Sequence, residues 1–264
     1  TFSNVSEVIG QNGRRGATMI SIDCHHPDLE EFINIKNDLN AVTKANISVR
    51  ITDDFMDAVV NNDDWELFFE TDELDLLIKT VKAHEIFRLL AKNNWAMAEP
   101  GILFWDRITN YNLLSEDPEF EYAGVNPCAE EPLPNGGSCL LGSFNLVEYY
   151  DDFTQTFDFQ KFRDDIPVVV KAMNDVLDEG LPLHPLQIQR DTVRDYRQIG
   201  IGMMGLADLL IKLGIRYDSD DAIELCDEIG YTLAKEAIRA SALLAKEYGA
   251  YPKYNKEAVL ASAY

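Results

Sequence analysis

Asn126-Pro127-Cys128-Ala129-Glu130 is the stretch on which the reading of this chain turns. In an extended segment successive side chains alternate between faces. Asn126, Cys128 and Glu130 then share one face, setting an amide, a thiol and a carboxylate within reach of one small substrate. Pro127 offers no amide hydrogen to a strand ladder and keeps Asn126 out of the α region, so an extended loop is expected rather than a central strand. Eleven residues on comes Cys139, after Pro132, Pro134, Asn135, Gly136 and Gly137, a turn able to bring it back near Cys128. A single cysteine is more often a small buried hydrophobe than a nucleophile, so the spacing alone leaves both readings open.

The chain around this stretch has 264 residues, 23 Lys+Arg against 46 Asp+Glu, and a formal net charge of −23. A hydrophobic fraction of 46% supplies a full core and argues against intrinsic disorder despite the charge. The acidic balance argues against nucleic acid as a partner, since phosphates would be repelled. No apolar run approaches the ~20 residues of a membrane-spanning helix, and no apolar leader opens the chain. Four cysteines make no disulfide scaffold, so a reducing cytoplasm is the expected compartment. The opening at Thr1 rather than Met leads us to expect a piece of a longer protein.

Residues 1–150 mix short strand-like runs with helices, which favours an α/β architecture; residues 151–264 read almost wholly helical. Strands are expected over 17–23, 46–51, 102–105 and 138–149. Helices are expected over 29–37 behind Pro27, over 53–61 with Thr52 as N-cap, and over 83–96 up to Pro100-Gly101. In the second half we expect a helix over 159–177 and a long helical stretch over 185–213. Gly200, Gly202 and Gly205 would interrupt that stretch for close helix packing, and Gly214 would end it. A last long helix is expected from Ser219 to Gly249, with Ala222, Cys226, Ile229, Leu233, Ala237, Leu244 and Tyr248 on its apolar stripe.

The stretch Asn126-Pro127-Cys128-Ala129-Glu130 resembles the active-site loop of ribonucleotide reductase large subunits. Gly13-Arg14-Arg15-Gly16-Ala17 is similar to that family's second specificity loop. Asn46-Ile47-Ser48-Val49 with Phe55-Met56, Pro100-Gly101-Ile102-Leu103-Phe104-Trp105-Asp106, Ser138-Cys139-Leu140-Leu141-Gly142-Ser143 and Ile199-Gly200-Ile201-Gly202-Met203-Met204-Gly205-Leu206-Ala207-Asp208 match further blocks, in family order and over nearly the whole chain. Pro127 and the short spacing from Cys128 to Cys139 look like the adenosylcobalamin-dependent class II enzymes. Some class I lineages share that pattern, so a class I large subunit fed by a metal-bearing partner subunit remains the alternative. Ala129 stands where many class II relatives have glycine; a methyl is tolerated there if φ is negative.

The resemblance implies a ten-stranded α/β barrel, of which residues 1–264 would form part, with the Cys128 loop running through its middle and the helices of 151–264 packed outside. It implies thiyl-radical reduction of ribonucleotides to 2′-deoxyribonucleotides. Cys128 would take hydrogen from C3′, Glu130 would accept the 3′-hydroxyl proton, and Asn126 would orient the ribose. Cys139 would be one of two reducing thiols, its partner lying on a strand before Thr1. Gln11, Asn12, Arg14 and Arg15, read from residue type alone as a solvated turn or a set of donors, would carry information from a deoxynucleotide effector to the substrate base. The implied partners are a ribonucleotide, deoxynucleotide effectors, a thioredoxin-like reductant and a second copy of the parent chain. The family's phosphate-binding loop, effector helices and C-terminal cysteine pair fall outside 1–264, so the fragment alone is not expected to turn over.

Other readings weigh less. Asp23-Cys24-His25-His26 lacks the second ligand cluster a zinc site usually has, so no metal is expected; Cys24 reads as the end of a buried strand. The acidic pairs at 53–54, 62–64, 72–73, 151–152, 164–165 and 218–221 read as helix starts and solvated faces. Gly10 to Gly16 lacks the Lys-Ser/Thr of a phosphate-binding P-loop, and Gly200-x-Gly202-x-x-Gly205 follows no clear strand, against a dinucleotide fingerprint. A thiol-exchange protein using Cys128 and Cys139 is the rival from another class; the missing Cys-x-x-Cys weighs against it.

Overall fold

The computed structural model describes Val5, Val8 and residues 16–38, 40–71 and 74–263. Gln11, Asn12, Arg14 and Arg15, the expected specificity loop, and the acidic pair Asp72-Glu73 lie outside the described residues. The chain divides into two units, one of Thr1–Pro134 with Asn255–Tyr264 and one of Asn135–Tyr254.

The first unit is organised on a parallel sheet of β1 (Met19–Asp23), β2 (Asn46–Ile51) and β5 (Gly101–Phe104), with β2 in the centre. Parallel neighbours need crossovers. The first carries α1 (Leu29–Asn34), and the second carries α2 (Asp53–Asn61), an antiparallel hairpin of β3 (Asp64–Thr71) and β4 (Leu74–Lys82), and α3 (Ala83–Met97). Being central, β2 is buried along most of its length rather than on one face. Thr52 does cap α2: its Oγ1 accepts the Phe55 amide at 3.1 Å, and Asp53 and Asp54 sit in the first turn. Ser48 pairs with Gly101 across the sheet, and a Cβ at 101 would lie 2.8 Å from Ser48 Oγ, which is why the Pro-Gly stop continues as a strand with no side chain there.

The β3–β4 hairpin was not expected. Asn62-Asp63-Asp64 is no helix start; Asn62 is the left-handed C-cap of α2 and Asp64 opens β3. Trp65 and Leu67, two residues apart, point into the core, and the Trp65 indole donates to the Cys24 carbonyl at 3.0 Å. Phe55, Ile86 and Leu90 close the same core from α2 and α3. Trp105, expected in the strand, instead opens α4 (Trp105–Asn110). Next follows an antiparallel hairpin of β6 (Tyr122–Val125) and β7 (Pro132–Pro134), whose tip carries the decisive stretch. The short helix Lys256–Ala261 also belongs to this unit.

The second unit is not wholly helical. It pairs β8 (Leu141–Asn145) with β11 (Gly200–Met204) in parallel, and β9 (Tyr150–Asp151) with β10 (Thr156–Phe157) antiparallel. Its helices are α5 (Phe159–Gly180), α6 (Gln187–Tyr196), α7 (Leu206–Leu213) and α8 (Asp220–Tyr248). The single helix expected over 185–213 is therefore corrected to helix, strand, helix. Gly200 and Gly202 lie in a strand beside β8, and Gly205 is the N-cap of α7 at φ 77°. A Cβ on Gly205 would fall 2.5 Å from Asn145 Oδ1, the atom that accepts the Val147 amide after β8. Gly214 does end α7, and Ser219 does cap α8 through the Ala222 amide.

Ala222, Ile229, Leu233 and Ala240 of α8 face the core, whereas Tyr248, expected on the apolar stripe, is exposed. Phe162 of α5 is fully buried among Phe144, Tyr149 and Phe157. Two of the acidic pairs have local work rather than solvation alone. Asp151 accepts the Phe153 and Thr154 amides and so closes the β9–β10 turn, which holds its carboxyl below the ordinary value. Asp165 accepts the Tyr149 hydroxyl at 3.1 Å; burial first and that hydrogen bond second push the Tyr149 hydroxyl up to about 12. Among the described residues no sheet closes into a barrel, and no helix is long and apolar enough to cross a membrane.

Candidate functional site

Asn126 to Glu131 is not an extended run but the tip of the β6–β7 hairpin. Val125 pairs with Pro132. Beyond that pair the Asn126 amide donates to the Glu131 carbonyl at 3.1 Å, and the Glu131 amide donates to Asn126 Oδ1 at 3.0 Å. Inside this clamp the Ala129 amide donates to the Asn126 carbonyl at 2.9 Å, closing a four-residue turn. Pro127 takes the second position of that turn, which its fixed φ suits. The same-face argument from strand alternation is thereby overturned; what gathers Asn126, Cys128 and Glu130 is one tight turn.

Ala129 has φ 67°, not the negative value that would seat a methyl without strain. The left-handed region costs a residue with a Cβ roughly 1 kcal/mol or more. Ala129→Gly is therefore expected to raise stability by about 0.5–1 kcal/mol, and Ala129→Val to lower it by more than that, read from urea midpoints of the three proteins. Equal midpoints would show that the turn relaxes to accommodate the side chain.

Cys128 and Glu130 are exposed and Asn126 is half-buried. Cys128 carries a free thiol. The Asn126 side-chain oxygen accepts the Glu131 amide, and its single side-chain nitrogen, Nδ2, is a donor. A second tie comes from β2: Asn46 Nδ2 donates to the Pro127 carbonyl at 2.7 Å, across 81 residues of chain. Nothing in residue spacing marks Asn46 as part of the site. Glu131, beside the expected base Glu130, is the buried member of the pair.

Cys139 belongs to the second unit, where it is exposed just before β8. It lines a pocket of about 260 Å³ together with Ser138, Leu177, His184, Val193 and Gln198. The turn that leads to it is docked on α6: Thr192 Oγ1 donates to the Asn135 carbonyl at 2.9 Å.

Asp23, Cys24 and His25 present donor atoms within 4.8 Å of one another. Each is engaged within the protein. Asp23 Oδ1 accepts the His25 amide, His25 Nδ1 meets the Glu66 carbonyl at 2.9 Å, and Cys24 lies 4.0 Å from Thr52 Oγ1. Burial, with Asp23 adding to it, pushes the Cys24 thiol up to about 11. At pH 8 about one Cys24 in a thousand is thiolate, the reactive form. Iodoacetamide at pH 8 is expected to modify Cys128 at least ~100-fold faster than Cys24, as peptide mapping of the modified chain would show. Comparable rates would mean that the first unit opens readily.

Residues 1–263 match the family model described as the ribonucleotide reductase barrel domain. A vitamin B12-dependent ribonucleoside-diphosphate reductase of Thermoplasma acidophilum is 36% identical over 96% of this chain and 32% of its own length. One of the same name from Mycobacterium tuberculosis is 33% identical over 96% of this chain and 36% of its own length. A vitamin B12-dependent ribonucleotide reductase of Streptomyces clavuligerus is 32% identical over 93% of this chain and 28% of its own length. The chain thus spans about a third of the length of the curated relatives it matches.

Proposed function

The chain belongs to the ribonucleotide reductase barrel-domain family, and from that premise we propose that it is the central part of a catalytic chain that reduces ribonucleotides to 2′-deoxyribonucleotides by thiyl-radical chemistry. The observation that carries the reading is a free, exposed thiol, Cys128, held at a hairpin tip between Asn126 and Glu130. Residues 1–264 act as one partial domain of a ten-stranded barrel. The sequence blocks in family order support that larger architecture.

In this reading the Cys128 thiyl takes hydrogen from C3′ of the ribose. Glu130 accepts the 3′-hydroxyl proton as general base, and the Asn126 amide nitrogen donates to a ribose hydroxyl. The 2′-hydroxyl leaves as water. Cys139 and a second thiol, contributed from outside this chain, supply two electrons and become a disulfide. Cys128 returns its hydrogen to C3′ and is ready again. Overall, one ribonucleotide and two thiols give one deoxyribonucleotide, one disulfide and water.

The names of the relatives support adenosylcobalamin as the cofactor. When bound it supplies a carbon radical able to take hydrogen from a thiol. The residue that fits this chemistry is Cys128, a thiol exposed at a hairpin tip rather than packed in the core. Two of the relatives are named for ribonucleoside diphosphates, which supports a diphosphate substrate. Deoxynucleotide effectors acting through Gln11, Asn12, Arg14 and Arg15, a thioredoxin-like reductant, a homodimer of the parent chain and a cytoplasmic setting complete the proposal.

The test uses the intact parent protein, anaerobically, with a dithiol and a ribonucleoside diphosphate, with and without adenosylcobalamin. Deoxynucleotide formed only with the cobalamin is the expected result. Activity that instead requires a metal-bearing partner subunit would move the protein to class I and leave the site standing. Absence of product under both conditions would overturn the reading.

A further inference from the structure

The Asn46 side chain reaches 81 residues along the chain to one backbone atom of the site, the Pro127 carbonyl, at 2.7 Å. That carbonyl belongs to the peptide plane leading into Cys128. The hairpin orders the rest of the tip from within: Asn126 is tied to Ala129 and, twice, to Glu131. These bonds lie on either side of the Pro127–Cys128 plane, and the bond to that plane itself comes from Asn46. A rotation of the plane would swing the Cys128 Cα–Cβ bond, and with it the sulfur.

Asn46 is itself held on a stiff base. Its amide donates to the Thr18 carbonyl at 2.8 Å, and it pairs with Met19 at the first position of β2. The next amide, Ile47, donates to Glu99 Oε1 at 3.1 Å. Glu99 Oε2 pairs with Lys36 Nζ at 2.9 Å, and Lys36, only 13% exposed along its side chain, also donates to the Val42 and Ala45 carbonyls at 2.7 and 2.6 Å. The residues on both sides of Asn46 are thus clamped by a largely buried lysine and its carboxylate. A half-shielded ion pair with its remaining donors used on carbonyls is a rigid arrangement. It makes β2 a strut whose end grips the turn.

We infer that Asn46 is a positioning residue for the Cys128 thiol, carried by the Lys36–Glu99 clamp at the start of β2. The inference rests on the reading of Cys128 as the radical-bearing thiol and goes beyond it, since Asn46 itself touches no substrate. A carboxamide suits the role because its nitrogen donates to a carbonyl, while an aspartate of the same shape would set oxygen against oxygen.

The experiment compares Asn46→Asp, Asn46→Ala and Asn46→Gln in the full-length parent protein, with Cys128→Ala alongside. In the cofactor-free protein, hydrogen exchange of the peptide spanning 126–131 is expected to speed about tenfold in the Asp and Ala variants, with the melting temperature within about 2 °C of the parent. In the loaded enzyme kcat is expected to fall about 10- to 100-fold with KM changed less than about threefold, because misplacing a reacting atom costs rate rather than binding. Asn46→Gln, which keeps the donor, should recover part of both losses. Should Asn46→Asp unfold the chain, Asn46→Ala, which introduces no charge, decides. Parent-like exchange and kcat in a folded Asn46 variant, with Cys128→Ala inactive, would overturn the positioning role alone. Product formed by Cys128→Ala would instead overturn the reading of the site.

Discussion

Deoxynucleotide formation by the intact enzyme is expected to drop to background when Cys128 is replaced by alanine. The reaction as proposed needs a sulfur atom that can hold an unpaired electron and give hydrogen back, and alanine has neither property. No other described cysteine can stand in within the first unit. Cys24 is fully buried, so it does not meet substrate. The fold should not suffer, because the Cys128 side chain is exposed at a turn and fills no core space. Far-UV circular dichroism and urea midpoints within about 0.5 kcal/mol of the parent would confirm this. Glu130→Gln, which removes a general base but not the radical site, should cost about 10²- to 10⁴-fold in kcat. The ordering matters more than either figure. A Cys128→Ala enzyme retaining more than about 1% of parental kcat would place the radical elsewhere, whatever Glu130→Gln does.

Residue type and order single out Asn126, Cys128 and Glu130 as candidates in the sequence; their geometry was not legible there. Strand alternation put Asn126, Cys128 and Glu130 together for the wrong reason. The signal for the turn was present, since Asn-Pro favours turn initiation and proline suits the second turn position. Asn46 stood in the sequence only as the first residue of a family-like block, and its bond to Pro127, across 81 residues, is announced by nothing local. The same division runs through the fold. Thr52, Ser219 and Gly214 act where they stand, as caps within three residues of their partners, and the helices that Thr52 and Ser219 open came out as expected. Gly200–Met204 did not, because what makes it a strand is its pairing with Leu141–Asn145, some sixty residues away. Judged by local propensity its glycines look like interruptions of a helix; the pairing makes them strand positions. The β3–β4 hairpin was hidden in a similar way, its inward Trp65 and Leu67 set between acidic residues that drew attention to solvent.

Phe162→Ala should be the most damaging single change to the second unit, at about 3–5 kcal/mol of unfolding free energy. Phe162 has no solvent exposure and meets three rings, with centroids at 5.2 Å to Phe144, 5.0 Å to Tyr149 and 5.5 Å to Phe157, mostly edge to face. Deleting it removes both the burial of a large apolar side chain and the ring-edge attractions, each of the latter worth about 0.5–1.5 kcal/mol. The ring cluster cannot easily collapse into the space, since Tyr149 is tied to Asp165 through its hydroxyl and Phe144 is fixed in β8 by pairing with Met203. Phe162→Leu keeps most of the volume and should cost less than half as much. The consequence reaches the chemistry, because β8 begins two residues after Cys139 and Phe144 is its buried anchor. Urea unfolding followed at 222 nm measures the loss. All three tryptophans, Trp65, Trp95 and Trp105, lie in the first unit, so their fluorescence reports that unit in the same titration. A cost under about 1 kcal/mol for Phe162→Ala would mean that the aromatic cluster repacks, and Cys139 would then have to owe its placement to the docking of Asn135 on Thr192 rather than to the core beneath β8.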